Sequence, residues 1–136
     1  MLVSRIMRKP VMTVAPEASV QTAAALMANL DIGALAVVDD GRPVGILTDR
    51  DIVVRHAAKA GTDALVGTVM TPCVVTCRSD QTIERAAHLM ADRQIRRLVV
   101  LDADNRVVGL LSLGDIANDA SEELAGQTLG EIVETR

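Results

Sequence analysis

Gly45-Ile46-Leu47-Thr48-Asp49-Arg50-Asp51 reappears 64 residues later as Gly109-Leu110-Leu111-Ser112-Leu113-Gly114-Asp115. Each copy reads glycine, two aliphatics, a hydroxyl residue, two variable residues and an aspartate. Each falls where a run of strand-forming residues gives way to a helical pattern. Working outward, Ile6-Met7 and Val11-Met12-Thr13 match Val69-Met70 and Val74-Val75-Thr76. Ala23-Ala24 and Leu26-Met27-Ala28 match Ala86-Ala87 and Leu89-Met90-Ala91. Ile32, Leu35, Val37 and Asp39 match Ile95, Leu98, Val100 and Asp102, and Asp104 reads as a one-residue insertion. The chain is an internal duplication, with repeats over residues 1–64 and 65–120 and a helical tail over 121–136.

Both repeats follow one plan. A short extended piece (Val11 to Val14; Val74 to Cys77) leads to a helix, Val20 to Leu30 or Ile83 to Arg93, with Ser19 and Thr82 as N-caps. Two apolar runs follow, Ala34 to Val38 with Val44 to Leu47, and Leu98 to Leu101 with Val107 to Leu111. Each pair is split by turn-forming residues, so each is a hairpin. The runs are continuously apolar, as in strands covered on both faces. A second helix is expected over Asp51 to Ala60 and over Asp115 to Leu124. The class is α/β (α+β): two β-α-β-β-α units, too small to close good cores alone. They are expected to pack sheet to sheet with pseudo-twofold symmetry, leaving two equivalent clefts between the repeats. In the tail, Leu124, Leu129, Ile132 and Val133 suit a short amphipathic helix interrupted by Gly126 and Gly130. A frayed end fits the same residues.

Composition narrows the function. The 136 residues carry a formal charge of −4 and contain no Phe, Tyr or Trp. Nucleic-acid binding is disfavoured twice, by the missing basic footprint and by the missing stacking platforms. Hydrophobic residues make up 49% and mean hydropathy is +0.28, which excludes a disordered chain and suggests a buried oligomeric face. No apolar run approaches the roughly 18 residues needed to span a bilayer. The N-terminal stretch has no apolar secretory core, so the cytoplasm is the expected compartment. No nucleophile–base constellation and no Lys-bearing phosphate loop is present, so no enzymatic activity is expected.

The repeated junction offers chemistry of another kind. A helix start presents free amides to an anion, and Thr48 or Ser112 adds a hydroxyl there. Asp51 or Asp115, one turn on, can accept the hydroxyls of a ribose, as acids do in dinucleotide folds. The same spacing is also that of a helix capping box. The two uses are compatible, because a ligand can take what the cap leaves free.

On these motifs the chain resembles a tandem pair of CBS (cystathionine β-synthase) domains, a Bateman module, over about residues 5 to 118. The resemblance implies an adenosine-type ligand, AMP, ADP or ATP and sometimes S-adenosylmethionine, with no cofactor required. It implies that Thr48 and Asp51 serve one cleft and Ser112 and Asp115 the other, with backbone near Thr13 and Thr76 reading the adenine edge. Arg96 and Arg97, just before the strand, resemble the family's phosphate-contacting position, and with Arg50 they are the phosphate candidates, a role that suits bidentate guanidinium chemistry. An ordinary solvated turn would carry the same arginines. Repeat 1 has Gly33-Ala34 where repeat 2 has Arg96-Arg97, so one strong and one weak site is expected. A stand-alone nucleotide sensor would be a homodimer signalling to a client protein. The alternative is a structural or interaction module with vestigial clefts.

Other residues are less informative. Cys73 and Cys77 have a loose metal spacing. On an extended strand they lie roughly 13 Å apart, beyond disulfide reach. His56 and His88 read as surface or edge residues. The six methionines read as core or cleft lining, with a Met-rich partner groove as the sharper option.

Overall fold

The computed structural model describes residues 1–59, 63–72 and 74–134. The chain forms two compact units, Met12–Val74 (the repeat-1 unit) and Met1–Val11 with Val75–Arg136 (the repeat-2 unit).

The repeat-1 unit contains β1 (Thr13–Val14), α1 (Val20–Leu30), β2 (Ala34–Asp39), β3 (Arg42–Thr48), α2 (Asp49–Asp51), α3 (Val66–Val69) and β4 (Thr71–Pro72). The sheet order is β1-β2-β3-β4. β1 runs parallel to β2, and the remaining pairs are antiparallel. Ser19 caps α1 by accepting the Thr22 N–H at 3.0 Å. Val20, Ala23 and Met27 turn inward from α1 onto Leu35, Val37 and Leu47 of the sheet. Leu35 and Leu47 are wholly buried, each contributing about 1.5–3 kcal/mol by leaving water. Ala34 and Ala36, on the other face of β2, are buried as well, so the unbroken apolar run reflects burial on both sides. Beyond α2 the expected helix continues but not as an α-helix, and its expected end, Ala60, lies outside the described residues. Ile52–His56 is π-helical and Ala57–Lys59 is a 3₁₀ turn.

The repeat-2 unit repeats the plan with β5 (Thr76–Arg78), α4 (Ile83–Arg93), β6 (Arg97–Leu101), β7 (Val107–Ser112) and α5 (Leu113–Asp119), then adds α6 (Glu122–Ile132). The sheet order is β5-β6-β7. Ala86, Ala87 and Met90 of α4 pack with Leu98, Val100, Leu111 and Ile116. The sequence carries α5 on to Leu124. The structure ends it at Asp119, because Ser121 starts a new helix by accepting the Leu124 N–H at 3.0 Å. The tail is not frayed. Ala125 and Ile132 of α6 join the core, and Gly126 and Gly130 do not interrupt the helix.

Each unit is completed by chain from the other repeat's lead-in. Arg8 exchanges backbone hydrogen bonds with Leu110 of β7, and Thr71 and Ile46 pair across β3 and β4. Such edge pairing satisfies backbone groups that would otherwise stand open.

Candidate functional site

The two junctions are built from the same hydrogen bonds. At the end of β3, Thr48 Oγ1 accepts the Asp51 N–H at 3.1 Å, and Asp51 Oδ2 accepts the Thr48 N–H at 3.1 Å. At the end of β7, Ser112 Oγ accepts the Asp115 N–H at 3.1 Å, and Asp115 Oδ2 accepts the Ser112 N–H at 2.9 Å. Both are complete capping boxes. Asp51 is 9% exposed and Asp115 6%, so neither carboxylate is spent on bulk water. Burying an ionised carboxylate requires partners, and the box supplies one to each Oδ2, which keeps a second lone pair.

Each carboxylate meets a further residue that sequence reasoning missed. The Thr71 hydroxyl donates to the Asp51 carboxylate at 3.4 Å, and Arg55 Nε lies 3.9 Å from Asp51 Oδ1. Arg8 Nε donates to Asp115 Oδ1 at 3.4 Å. Arg8 and Thr71 are counterparts in the duplication, each following a methionine. That equivalence was visible in the sequence; the contact depends on the edge pairing of the lead-in segments. The same pairing explains the glycines. A β-carbon on Gly45 would collide with the Met70 sulfur, and one on Gly109 with the Met7 side chain.

At the mouths the junctions diverge. The Asp49 N–H donates to the Gly33 carbonyl at 3.0 Å, and the Leu113 N–H donates to the Arg96 carbonyl at 2.9 Å. The repeat-1 mouth therefore sets an acid beside a glycine, and the repeat-2 mouth sets an apolar residue beside an arginine. Arg96 and Arg97 are exposed, and neither guanidinium has an ion-pair or hydrogen-bond partner among the described residues. With Ser112, Leu113 and Ala117 they line a hollow of about 610 Å³ whose other wall is α6, a volume within the ordinary range for small-molecule sites. Asp115 is not among the residues lining it.

The remaining candidates are scattered. Thr13 is exposed on β1 of the repeat-1 unit, and Arg50 is exposed on α2. Its backbone N–H donates to Asp49 Oδ1 at 2.8 Å. Thr76 is half-buried on β5 and borders a separate hollow of about 570 Å³ with Arg85 and His88. His88 is exposed and His56 half-buried. Cys73 lies outside the described residues. Cys77 is buried, and burial pushes its thiol up from the ordinary 9.0 to about 11, so it stays protonated and unreactive near neutrality. Among the described residues no group of three His, Cys, Asp or Glu side chains could hold a metal ion, and no helix is long and apolar enough to cross a membrane.

The duplicated fold, with a capped hydroxyl–aspartate pair at the same junction in each repeat, has counterparts among known proteins. The CBS domain family model matches residues 3–57 and again 66–122, and the chain belongs to that family. It is 43% identical over 129 residues to the CBS domain-containing protein YhcV of Bacillus subtilis, covering 93% of this chain and 91% of that protein. Among solved structures it is similar to CBSX2 in complex with AMP, with a TM-score of 0.74, 30% identity, and 90% and 97% of the two chains covered. It is also similar to the CBS domain pair of protein MJ0100 in complex with 5′-methylthioadenosine and S-adenosyl-L-methionine. That match has a TM-score of 0.78 and 30% identity, and covers 93% and 98% of the two chains. The chain is thus a CBS pair, a regulatory type of module.

Proposed function

We propose that this CBS pair binds an adenine nucleotide of the AMP, ADP or ATP type, or S-adenosylmethionine, through its strand-to-helix junctions and transmits the bound state to a client protein. The observation that carries the reading is the pair of buried aspartates, each held beside a capping hydroxyl. The complexes of CBSX2 with AMP and of MJ0100 with S-adenosylmethionine support the ligand class. In this reading Asp51 and Asp115 accept ribose hydroxyls, and Thr48 and Ser112 lie beside the phosphate or its equivalent. Backbone near Thr13 and Thr76 reads the base, and Arg96 and Arg97, with Arg50 in the weaker site, hold phosphate.

The two sites are unequal. The repeat-2 junction offers two unpartnered guanidiniums, and the repeat-1 junction sets Asp49 against an anion. The role is binding rather than catalysis: both hydroxyls already serve as caps, and the Cys77 thiol is held protonated. The module works in the cytoplasm, where adenine nucleotides are plentiful. It pairs as a homodimer, a reading supported by Val53 and Val54, whose apolar side chains are 62% and 51% exposed.

One observation favours the alternative, an interaction module with empty sites. Arg8 already engages Asp115, and Thr71 already engages Asp51. Calorimetry with AMP, ADP, ATP and S-adenosylmethionine separates the two readings. Asp115→Asn keeps an oxygen for the cap and removes the charge. It is expected to weaken nucleotide binding by about 1–3 kcal/mol, and Asp51→Asn by less. No heat with any of the four ligands, or affinity untouched by both substitutions, would refute the assignment.

A further inference from the structure

The hollow beside Arg96 and Arg97 is closed on one side by a helix that lies almost wholly beyond the stretch matching the family. That match stops at residue 122, and α6 runs from Glu122 to Ile132. α6 is fixed in place: Ala125, Thr128 and Ile132 are buried, and its Ser121 cap is formed. It brings to the hollow one carboxylate, Glu122, an apolar Leu129, and Gly126. A β-carbon on Gly126 would meet nothing within 4 Å, so the space there is open. Glu122, like the two arginines, has no ion-pair or hydrogen-bond partner for its side chain among the described residues.

We propose that α6 walls the phosphate end of the ligand site in the repeat-2 unit, beside the Ser112 that caps Asp115, and that Glu122 limits the negative charge accepted there, so that a nucleoside monophosphate binds in preference to a triphosphate. The inference rests on the nucleotide reading above. Two guanidiniums attract a phosphate group, and each added phosphate brings further negative charge into the hollow that the Glu122 carboxylate also lines, which opposes it. Leu129 and Ala117 face the hollow as apolar surface, which gives a longer phosphate chain no partner.

Calorimetry with AMP and with ATP on three proteins tests this. The wild type should bind AMP more tightly than ATP. Gly126→Met projects a side chain into open space on a helix whose propensity it raises, so the melting temperature should not fall. It should weaken AMP binding about tenfold or more, the scale of losing a well-made contact. Glu122→Gln should narrow the AMP-to-ATP ratio by about threefold or more. A wild type that prefers ATP, a Gly126→Met protein that binds as before, or a ratio unmoved by Glu122→Gln each overturns the inference while leaving nucleotide binding in place. A wild type that binds neither nucleotide overturns both.

Discussion

Gly33 and Asp49 stand at the β3–α2 junction where Arg96 and Leu113 stand at the β7–α5 junction, and around them the hydrogen bonds are the same. The capping pair, the aspartate's burial and the carbonyl that receives the helix's first N–H recur in both. Those features are dictated by how a strand must turn into a helix, so a duplicated sequence reproduces them. The mouth faces solvent, where side chains are free of packing demands, and there the two copies have taken opposite charges. A scaffold can thus keep one geometry twice while the charge at its two mouths differs.

The largest expected departure between the copies concerns their glycines. A β-carbon on Gly45 would lie 2.9 Å from the Thr71 carbonyl oxygen, which is backbone and cannot rotate away. At Gly109 the obstruction is the Met7 side chain, which is flexible. Gly45→Ala should therefore cost about 2–3 kcal/mol and Gly109→Ala about 1 kcal/mol, read by urea unfolding. Equal losses would mean that the two lead-in segments are held alike.

A smaller difference separates Cys77 from its counterpart Val14, both buried. The folded thiol titrates at about 11 against an ordinary 9.0, so the unfolded chain loses its proton first. Stability is then unaffected below pH 9 and falls as pH rises from 9 towards 11. The loss at pH 10 should be about 1.4 kcal/mol, measured by denaturant melts. Cys77→Val, which copies repeat 1, should remove Cys77's share of the decline. An identical slope in that variant would show that the alkaline loss arises elsewhere.

The smallest effect is expected at Arg8, whose side chain is 69% exposed in its ion pair with Asp115. Arg8→Ala should change stability by less than about 1 kcal/mol. Its value lies in the ligand titration. If Arg8 competes for Asp115 Oδ1, nucleotide affinity rises in the variant; if Arg8 itself helps hold the ligand, affinity falls.

Much of this fold was legible from residue order. The helices Val20–Leu30 and Ile83–Arg93 have the bounds that their periodicity implies, and Ser19 and Thr82 cap them. Those features are set by neighbours three or four positions apart, which a sequence displays directly. The π-helical stretch after Asp51 was not legible. There the Arg55 guanidinium donates to the Met70 carbonyl at 3.1 Å, a partner fifteen positions away. The break at Ala120 and the docking of α6 also depended on a core made by distant segments. Of the tail's expected apolar stripe, Ile132 is buried and Leu124 half-buried, but Leu129 and Val133 are 40% and 59% exposed, and Ala125 and Thr128 are buried in their place.

The amino-acid order alone determined the duplication, the element sequence of each copy and the hydroxyl–aspartate pair at each junction, because all three are local patterns or repetitions of them. Tertiary structure decided which chain segment completes each sheet, which residue meets each carboxylate's second oxygen, and where a cavity opens beside the arginines. Those are contacts between segments far apart in the chain, and their free energy appears only once the backbone has closed on itself.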